Sequence, residues 1–215
     1  AVAQFAPGAD AAANLATIES LAATAAQRGA GLVVLPEYST YFTPEQGPDW
    51  VERAEPLDGP TVAALAGIAD RLGVVLVAGV LETAGDGTRV HNTVVALEPG
   101  RGIVARYRKL HLYDAFGQRE SDRVRPGEIE DPELFAWGGL TVGLQTCYDI
   151  RFPGLYTALA RSGAHAVLVA ASWAPGPQKV HQWRSAAIAR AMDATCFVIA
   201  IDQAGRVHRA GDRGR

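Results

Sequence analysis

Cysteine is scarce in this sequence, and the two cysteines that occur are far apart. They are Cys147 and Cys196, in a chain of 215 residues. Two cysteines are too few for a disulfide framework, and their separation matches no zinc-binding or redox motif. The sequence therefore predicts a protein of a reducing compartment, the cytoplasm, that holds no metal.

Long apolar runs and blocks of like charge are missing as well. The longest apolar stretches, residues 74–80 and 164–171, fall far short of the roughly 20 residues that a membrane-spanning helix needs. Lysine and arginine number 20 against 23 acidic residues, a formal net charge of -3. We therefore expect neither nucleic acid nor a membrane as the main partner.

What the chain does contain is a regular alternation of strand-like and helix-like segments. Apolar residues make up 48% of it, enough to bury the core of one domain, residues 1–215. The predicted strands cover residues 1–6, 32–35, 74–81, 92–97, 103–106, 140–145, 166–170 and 196–201. The predicted helices cover residues 11–27, which Asp10 caps, residues 61–72, a segment after Pro153, and residues 180–193.

This alternation predicts an α/β layered fold with both faces of the sheet covered. Pro99, Gly100 and Gly102 separate two β-rich stretches and predict a hairpin, which excludes a purely parallel sheet. Residues 113–132 are expected to be irregular. The polar tail, residues 204–215, contains almost nothing that could pack in a core and is expected to be exposed or an atypical end of the domain.

Three polar residues lie at or beside the ends of predicted strands, where α/β folds collect catalytic groups. Glu37 follows LVVLP, Lys109 lies in RYRKLHL, and Cys147 opens CYDIRFPGLY. Each has an ordinary explanation when taken singly: an exposed loop acid, a solvated cation and a small buried apolar residue.

Taken together and in this order, the LPE, RKLHL and CYDIRFP segments resemble the signature blocks of amidases of the nitrilase superfamily. The resemblance covers residues 1 to about 201. It implies a four-layer α/β/β/α sandwich that usually forms homo-oligomers. It also implies carbon–nitrogen bond hydrolysis without a cofactor, with Cys147 as nucleophile, Glu37 as general base and Lys109 as the cation that stabilises the oxyanion.

Elementary chemistry is consistent with these roles. A thiol with a pKa near 8.5 is mostly protonated at neutral pH, so a carboxylate must take its proton or a cation must stabilise the thiolate. Glu37 and Lys109 provide one of each. The same resemblance suggests Glu120 as a fourth catalytic residue that positions the lysine or the substrate, although a surface acid is nearly as good an interpretation.

Three further residues are candidates for substrate binding. Tyr148 follows the nucleophile, and a backbone N–H near it could help to bind the oxyanion. Arg151 could pair with a substrate carboxylate, or it could form an internal salt bridge with Asp149 or Asp114. Trp173 ends the apolar run VLVAASW and is expected to line the pocket.

The expected substrate is a small linear amide, with a carboxylate-bearing ω-amide as one candidate. CYDIRFP resembles the amidase branch more than true nitrilases, which usually place Trp next to the cysteine. Nitrile hydrolysis, N-carbamoyl hydrolysis and acyl transfer to an amine would use the same thioester. A rival of another class is a truncated, non-catalytic relative that serves as an assembly or binding module.

The sequence departs from the family pattern at two places. Gly154 stands where similar family members usually carry Glu, which is expected to cost local stability or to reshape the cavity. Family chains also continue past the strand at residues 196–201 into a Gly-His-Ser segment and further strands. The polar tail stands there instead, so the sandwich is expected to be truncated at its C-terminus and to leave a sheet edge uncovered.

Overall fold

Two sheets form the centre of the computed structural model, which describes residues 1–205. The first sheet contains, in spatial order, β1 (Leu32–Val34), β2 (Val75–Thr83), β3 (Val90–Glu98) and β4 (Gly102–Arg108). The second contains β5 (Leu134–Trp137), β6 (Leu140–Thr146), β7 (Ala166–Ala171) and β8 (Phe197–Asp202). The predicted polar tail lies outside the described residues from position 206 onward.

The helices among residues 1–205 flank these sheets and agree well with the sequence pattern. They are α1 (Ala11–Gln27), α2 (Asp49–Arg53), α3 (Pro60–Leu72), α4 (Pro153–Arg161) and α5 (Lys179–Ala194). The Asp10 side chain caps α1 by accepting the Ala13 N–H at 3.1 Å, as predicted. Pro153 opens α4, where its missing N–H has no cost. The sequence pattern had missed only the short helix α2.

Four layers result, because each central strand is apolar on both of its faces. In β2, Leu76 and Ala78 pack under the helices α1 and α3, whereas Val75 and Val77 face the second sheet. In β7, Val167 and Val169 pack under α4 and α5, while Leu168 and Ala170 close the space between the sheets. The predicted α/β/β/α sandwich is confirmed.

The pairing of the strands brings polar residues together at one end of the sandwich. β1 and β2 are parallel, and so are β6, β7 and β8. The predicted hairpin is confirmed as the antiparallel pair β3 and β4. Glu37, Cys147 and Ser172 follow the carboxyl ends of β1, β6 and β7, so these three residues come from both sheets to the same region.

The structure corrects two predicted segments near the sheet edges. Residues 1–6 do not form a strand but make a single parallel bridge, from Val2 to Val34, the last residue of β1. The segment then turns to the other sheet, where the Gln4 side chain donates to the Asp202 carbonyl at 2.8 Å. β5, which the sequence analysis did not assign, pairs with β6 as a hairpin. The two residues of its turn, Gly138 and Gly139, both have positive φ.

No helix among residues 1–205 is both long enough and apolar enough to cross a membrane. Cys147 and Cys196 are both free thiols.

We expect the Gly154→Glu substitution to stabilise the protein. Gly154 lies in the first turn of α4, which carries no acidic residue, and a Cβ added there meets no atom within 4 Å. Removing the glycine should contribute up to about 1 kcal/mol. A negative charge near the helix N-terminus should add about 0.3–1 kcal/mol at low salt. Urea unfolding of Gly154→Glu beside Gly154→Gln separates the two effects, and equal stability of the two variants would contradict the charge effect.

Candidate active site

Glu37 lies on a tight turn directly after β1. Its side chain is buried, with only 1% exposed, and Tyr38 after it adopts a left-handed φ of 56°. Gly79 in β2 makes this path possible, because a Cβ there would lie 2.5 Å from the Tyr38 backbone N and 2.9 Å from the Glu37 Cα. Glu37 Oε2 accepts the Ser172 N–H at 2.6 Å, so its carboxylate bridges to the second sheet.

Lys109 follows β4 and is likewise buried. Its Nζ donates to Glu37 Oε1 at 3.1 Å and to both carboxylate oxygens of Glu120 at 2.9 Å. Although burial lowers it, the pKa of Lys109 lies well above its usual value, because the charges of Glu120 and Glu37 outweigh the loss of hydration. One ammonium therefore stays charged between two carboxylates.

Glu120 is a buried residue, and the surface interpretation of it is wrong. It opens a single 3-10 turn, Glu120–Asp122, and is 2% exposed. Besides Lys109, it accepts the Tyr38 hydroxyl at 2.8 Å and the Tyr113 N–H at 2.6 Å. These donors fix the carboxylate in one orientation beside the lysine.

Two residues that the sequence analysis missed complete this cluster. Asn92 Nδ2, on β3, donates to Glu37 Oε1 at 2.6 Å and to the Tyr38 hydroxyl at 2.8 Å. The pKa of Tyr38 is raised well above its usual value by burial and by Glu120 and Glu37, so its phenol remains a neutral donor. The sequence signal for Asn92 was weak, because its neighbours in β3, His91 and Thr93, are polar as well.

Cys147 lies where β6 passes into the 3-10 turn Cys147–Arg151, with a left-handed φ of 45°. Such a conformation is strained for a residue with a Cβ and is found most often at functional sites. Its Sγ lies 3.9 Å from the Ser172 carbonyl oxygen. Burial, and then the charge of Glu37, raise the pKa of the Cys147 thiol well above its usual value, although Lys109 opposes this. The resting thiol is therefore protonated, and a carboxylate base is required.

A cavity of about 340 Å³ opens over these groups. Glu37, Lys109, Glu120 and Cys147 form part of its lining, together with other polar and aromatic residues. These others include Tyr148 and Trp173, as expected from the sequence, and also Gln118, Tyr113 and Lys179. Its volume suits a small ligand. Gly154 is not among the lining residues.

Arg151 lies beside the cavity but does not line it. Its guanidinium donates to Gln182 Oε1 at 2.8 Å and lies 5.7 Å from the ring centroids of Tyr148 and Trp173. Neither salt bridge expected for it is present. Asp149 is fully buried and accepts instead from the Tyr107 hydroxyl and from the backbone N–H of His111. A direct contact of Arg151 with a substrate stays a prediction.

No group of three or more His, Cys, Asp or Glu side chains among residues 1–205 is arranged to hold a metal ion.

Comparison with known proteins assigns this arrangement to a family. The family model described as carbon-nitrogen hydrolase matches residues 1–213. The chain belongs to this family. It is therefore an enzyme that hydrolyses carbon–nitrogen bonds, in agreement with the resemblance of its sequence blocks.

The relatives that this hydrolase resembles include a protein named as an amidase. A hydrolase of Mycobacterium tuberculosis is 46% identical over 206 residues, which cover 95% of this chain and 71% of that protein. A deaminated glutathione amidase of Escherichia coli O157:H7 is 40% identical over 194 residues, covering 89% of this chain and 72% of that protein.

The solved structures lead to the same superfamily. An amidase of the nitrilase superfamily from Nesterenkonia matches with a TM-score of 0.80 and 27% identity, covering 95% of this chain and 75% of that chain. A mutant of the same amidase shows Michael addition of acrylamide at its active-site cysteine. The fold and the superfamily expected from the sequence are both confirmed.

The end of β8 reaches the site of this hydrolase through Asp202 and Gln203. Gln203 Nε2 donates to the Glu37 carbonyl at 3.0 Å, and Asp202 Oδ1 accepts the Trp173 N–H at 2.7 Å. Burial raises the pKa of Asp202 to about 6, although hydrogen bonds from Trp173 and Gln203 oppose this shift. Asp202 is thus an acid that is easier to accommodate in its neutral form.

We expect the Asp202→Asn substitution to remove a pH-dependent cost in stability. The folded-state pKa of about 6 lies above the usual 3.8, so the folded protein favours the neutral form of Asp202. The stability of the parent protein is therefore unaffected by ionisation of Asp202 below pH 4, and it falls as pH rises from 4 through 6. Asn keeps an acceptor for the Trp173 N–H and does not ionise. The stability of Asp202→Asn relative to the parent should therefore rise between pH 4 and pH 6 and then level off.

Urea unfolding at several pH values measures this difference. The exposed Asp58, replaced by Asn, provides the matched control, whose difference from the parent should not follow this curve. A constant difference between Asp202→Asn and the parent over the whole range would show that Asp202 does not titrate near pH 6.

Proposed function

We propose that this chain hydrolyses a small linear amide through a thioester on Cys147, with Glu37 as general base and Lys109 as the oxyanion-stabilising cation. The observation that carries the proposal is that a buried thiol, a carboxylate and an ammonium line one small cavity. These are the groups that acyl transfer from nitrogen to water requires. No metal or organic cofactor takes part in the proposed reaction.

In the first half-reaction the thiol attacks the amide carbon. Since the pKa of Cys147 is raised, Glu37 takes its proton as the sulfur–carbon bond forms. The carbonyl π electrons move to oxygen, and Lys109 and the backbone N–H of Tyr148 stabilise that negative charge. Glu37 then gives the proton to the nitrogen, the carbon–nitrogen bond breaks, and ammonia leaves.

In the second half-reaction water replaces the sulfur. Glu37 removes a proton from the attacking water, the new carbon–oxygen bond forms, and the carbon–sulfur bond breaks to return the thiol and release a carboxylic acid. A single carboxyl group thus serves both halves. Glu120 acts as a positioning residue, since it holds Lys109 and Tyr38.

Several features support an amide rather than another carbon–nitrogen substrate. The named relatives include amidases, among them the deaminated glutathione amidase of Escherichia coli. The cavity of about 340 Å³ accommodates a short chain, and Tyr148 and Trp173 give its wall an aromatic surface. We assign an ω-amide as the preferred substrate, with nitriles and N-carbamoyl compounds as alternatives that the same thiol could attack.

The setting of the enzyme is also part of the proposal. A cytoplasmic location would keep the nucleophilic thiol reduced. Association into a homo-oligomer is supported by large apolar side chains that are exposed on α5 and at the start of β8, namely Val180, Ile188, Met192 and Phe197. We expect small-molecule substrates and no nucleic-acid or membrane partner.

Intact-protein mass spectrometry, combined with ammonia release, tests the proposal. The protein is incubated with short linear amides, nitriles and N-carbamoyl compounds. We expect ammonia from the amides and an acyl adduct on Cys147. Cys147→Ala should lose turnover and adduct while keeping the fold, because it removes only a small side chain. Glu37→Gln should block acylation, because the neutral amide cannot take the thiol proton.

Cys196→Ala is the matched control, because Cys196 lies outside the cavity lining and should be dispensable. Full turnover by Cys147→Ala, or an adduct on Cys196, would contradict the mechanism. An acyl-enzyme that accumulates in Glu37→Gln would assign Glu37 to the second half-reaction only. Added hydroxylamine converts a transferable acyl group to a hydroxamate and so detects acyl transfer.

A further inference from the structure

Lys179 is a cation in the lining of the catalytic cavity that the proposed mechanism does not use. Its Nζ donates to the Tyr113 hydroxyl at 3.0 Å and lies 4.6 Å from the ring centroid of Phe116 and 5.8 Å from that of Trp173. It takes part in none of the ion pairs formed within residues 1–205. The ammonium is therefore held by neutral groups.

The position of Lys179 is fixed by the cavity wall. The Trp173 indole Nε1 donates to the Lys179 carbonyl at 3.0 Å. Helix stability does not explain this position, because Lys179 is the first residue of α5 and a positive charge is unfavourable at a helix N-terminus. The first turn of α5 carries no acidic residue to offset it.

Charge differs between the two regions of the cavity. Around Cys147, the carboxylates of Glu37 and Glu120 outnumber the single ammonium of Lys109, so a substrate carboxylate is disfavoured there. Around Lys179, the charge is positive. Tyr113 adds a hydroxyl that accepts from Lys179 and keeps its own hydrogen for another acceptor.

We infer that Lys179, assisted by the Tyr113 hydroxyl, binds a carboxylate on the substrate. The enzyme then prefers ω-amides of dicarboxylic acids, whose neutral amide reaches Cys147 while the carboxylate stays at Lys179. This inference rests on the proposed amide hydrolysis. It assigns the cation to Lys179 in place of Arg151, which does not line the cavity.

Substrate pairs with equal numbers of carbon atoms test this assignment by kinetics. Succinamate and glutaramate, the monoamides of four- and five-carbon dicarboxylic acids, are compared with butyramide and valeramide, which lack the carboxylate. Lys179→Met should raise the KM for the acid amides, and their kcat/KM should fall about 10- to 100-fold more than that for the neutral amides. Lys179→Arg should retain most of the preference, and Lys179→Glu should shift it toward ω-amino amides.

Arg184→Met is the matched control, because it removes an exposed cation from the same helix, and it should leave the preference for acid amides unchanged. Equal losses on acid and neutral amides in Lys179→Met would show a structural role and overturn the inference. The inference is also overturned if the parent enzyme shows no preference for the acid amides.

A binding measurement keeps the inference separate from the proposed reaction. Calorimetry with glutaramate, which carries one carboxylate and one neutral amide, is carried out on Cys147→Ala with and without Lys179→Met. Binding that weakens about 10- to 100-fold on loss of Lys179 supports the carboxylate site even if no amide is turned over. Absence of glutaramate binding, or equal binding in both proteins, overturns it.

Discussion

A single buried ammonium between two carboxylates organises this molecule. Lys109 contacts Glu37 and Glu120 at hydrogen-bond distance, and all three side chains are nearly inaccessible to water. Charges in such surroundings are tolerated only when they are paired and further hydrogen-bonded, which the donors from Asn92 and Tyr38 accomplish. The residues come from four separate segments of the chain. The cluster therefore both fixes the fold around the site and holds the groups needed for catalysis.

Several local costs of the structure are explained by this cluster. Tyr38 and Cys147 adopt left-handed backbone conformations that are unfavourable for residues with a Cβ. Position 79, in the middle of a buried strand, is a glycine without a side chain, and this lets the Glu37 backbone approach β2. The Glu37 carboxylate also accepts a backbone N–H from Ser172 across the sheets. These contacts hold the Glu37 carboxylate in one position. A general base that takes the proton of the Cys147 thiol needs such a fixed position.

The layers, most helices and the three central site residues could be predicted, because periodicity and ordered sequence blocks are local properties. Contacts that join distant segments could not. The resemblance suggested that Glu120 positions the lysine or the substrate, a surface acid was nearly as good an interpretation, and the folded chain decides between them. Asn92 is a candidate site residue only because it contacts Glu37, and Lys179 only because it lines the cavity. The raised pKa of Cys147 depends first on the burial of the sulfur and then on the charge of Glu37, and both are properties of the folded chain.

A double-mutant cycle on the free energy of unfolding tests the central claim most directly. Lys109→Met, Glu120→Gln and the double variant are unfolded in urea beside the parent. Because removal of Glu120 leaves one fewer unpaired carboxylate behind when Lys109 is lost, the double variant should be more stable than the sum of the single effects predicts, by about 1–3 kcal/mol. Effects that add to within about 0.5 kcal/mol would contradict the account, because the two side chains would then act independently.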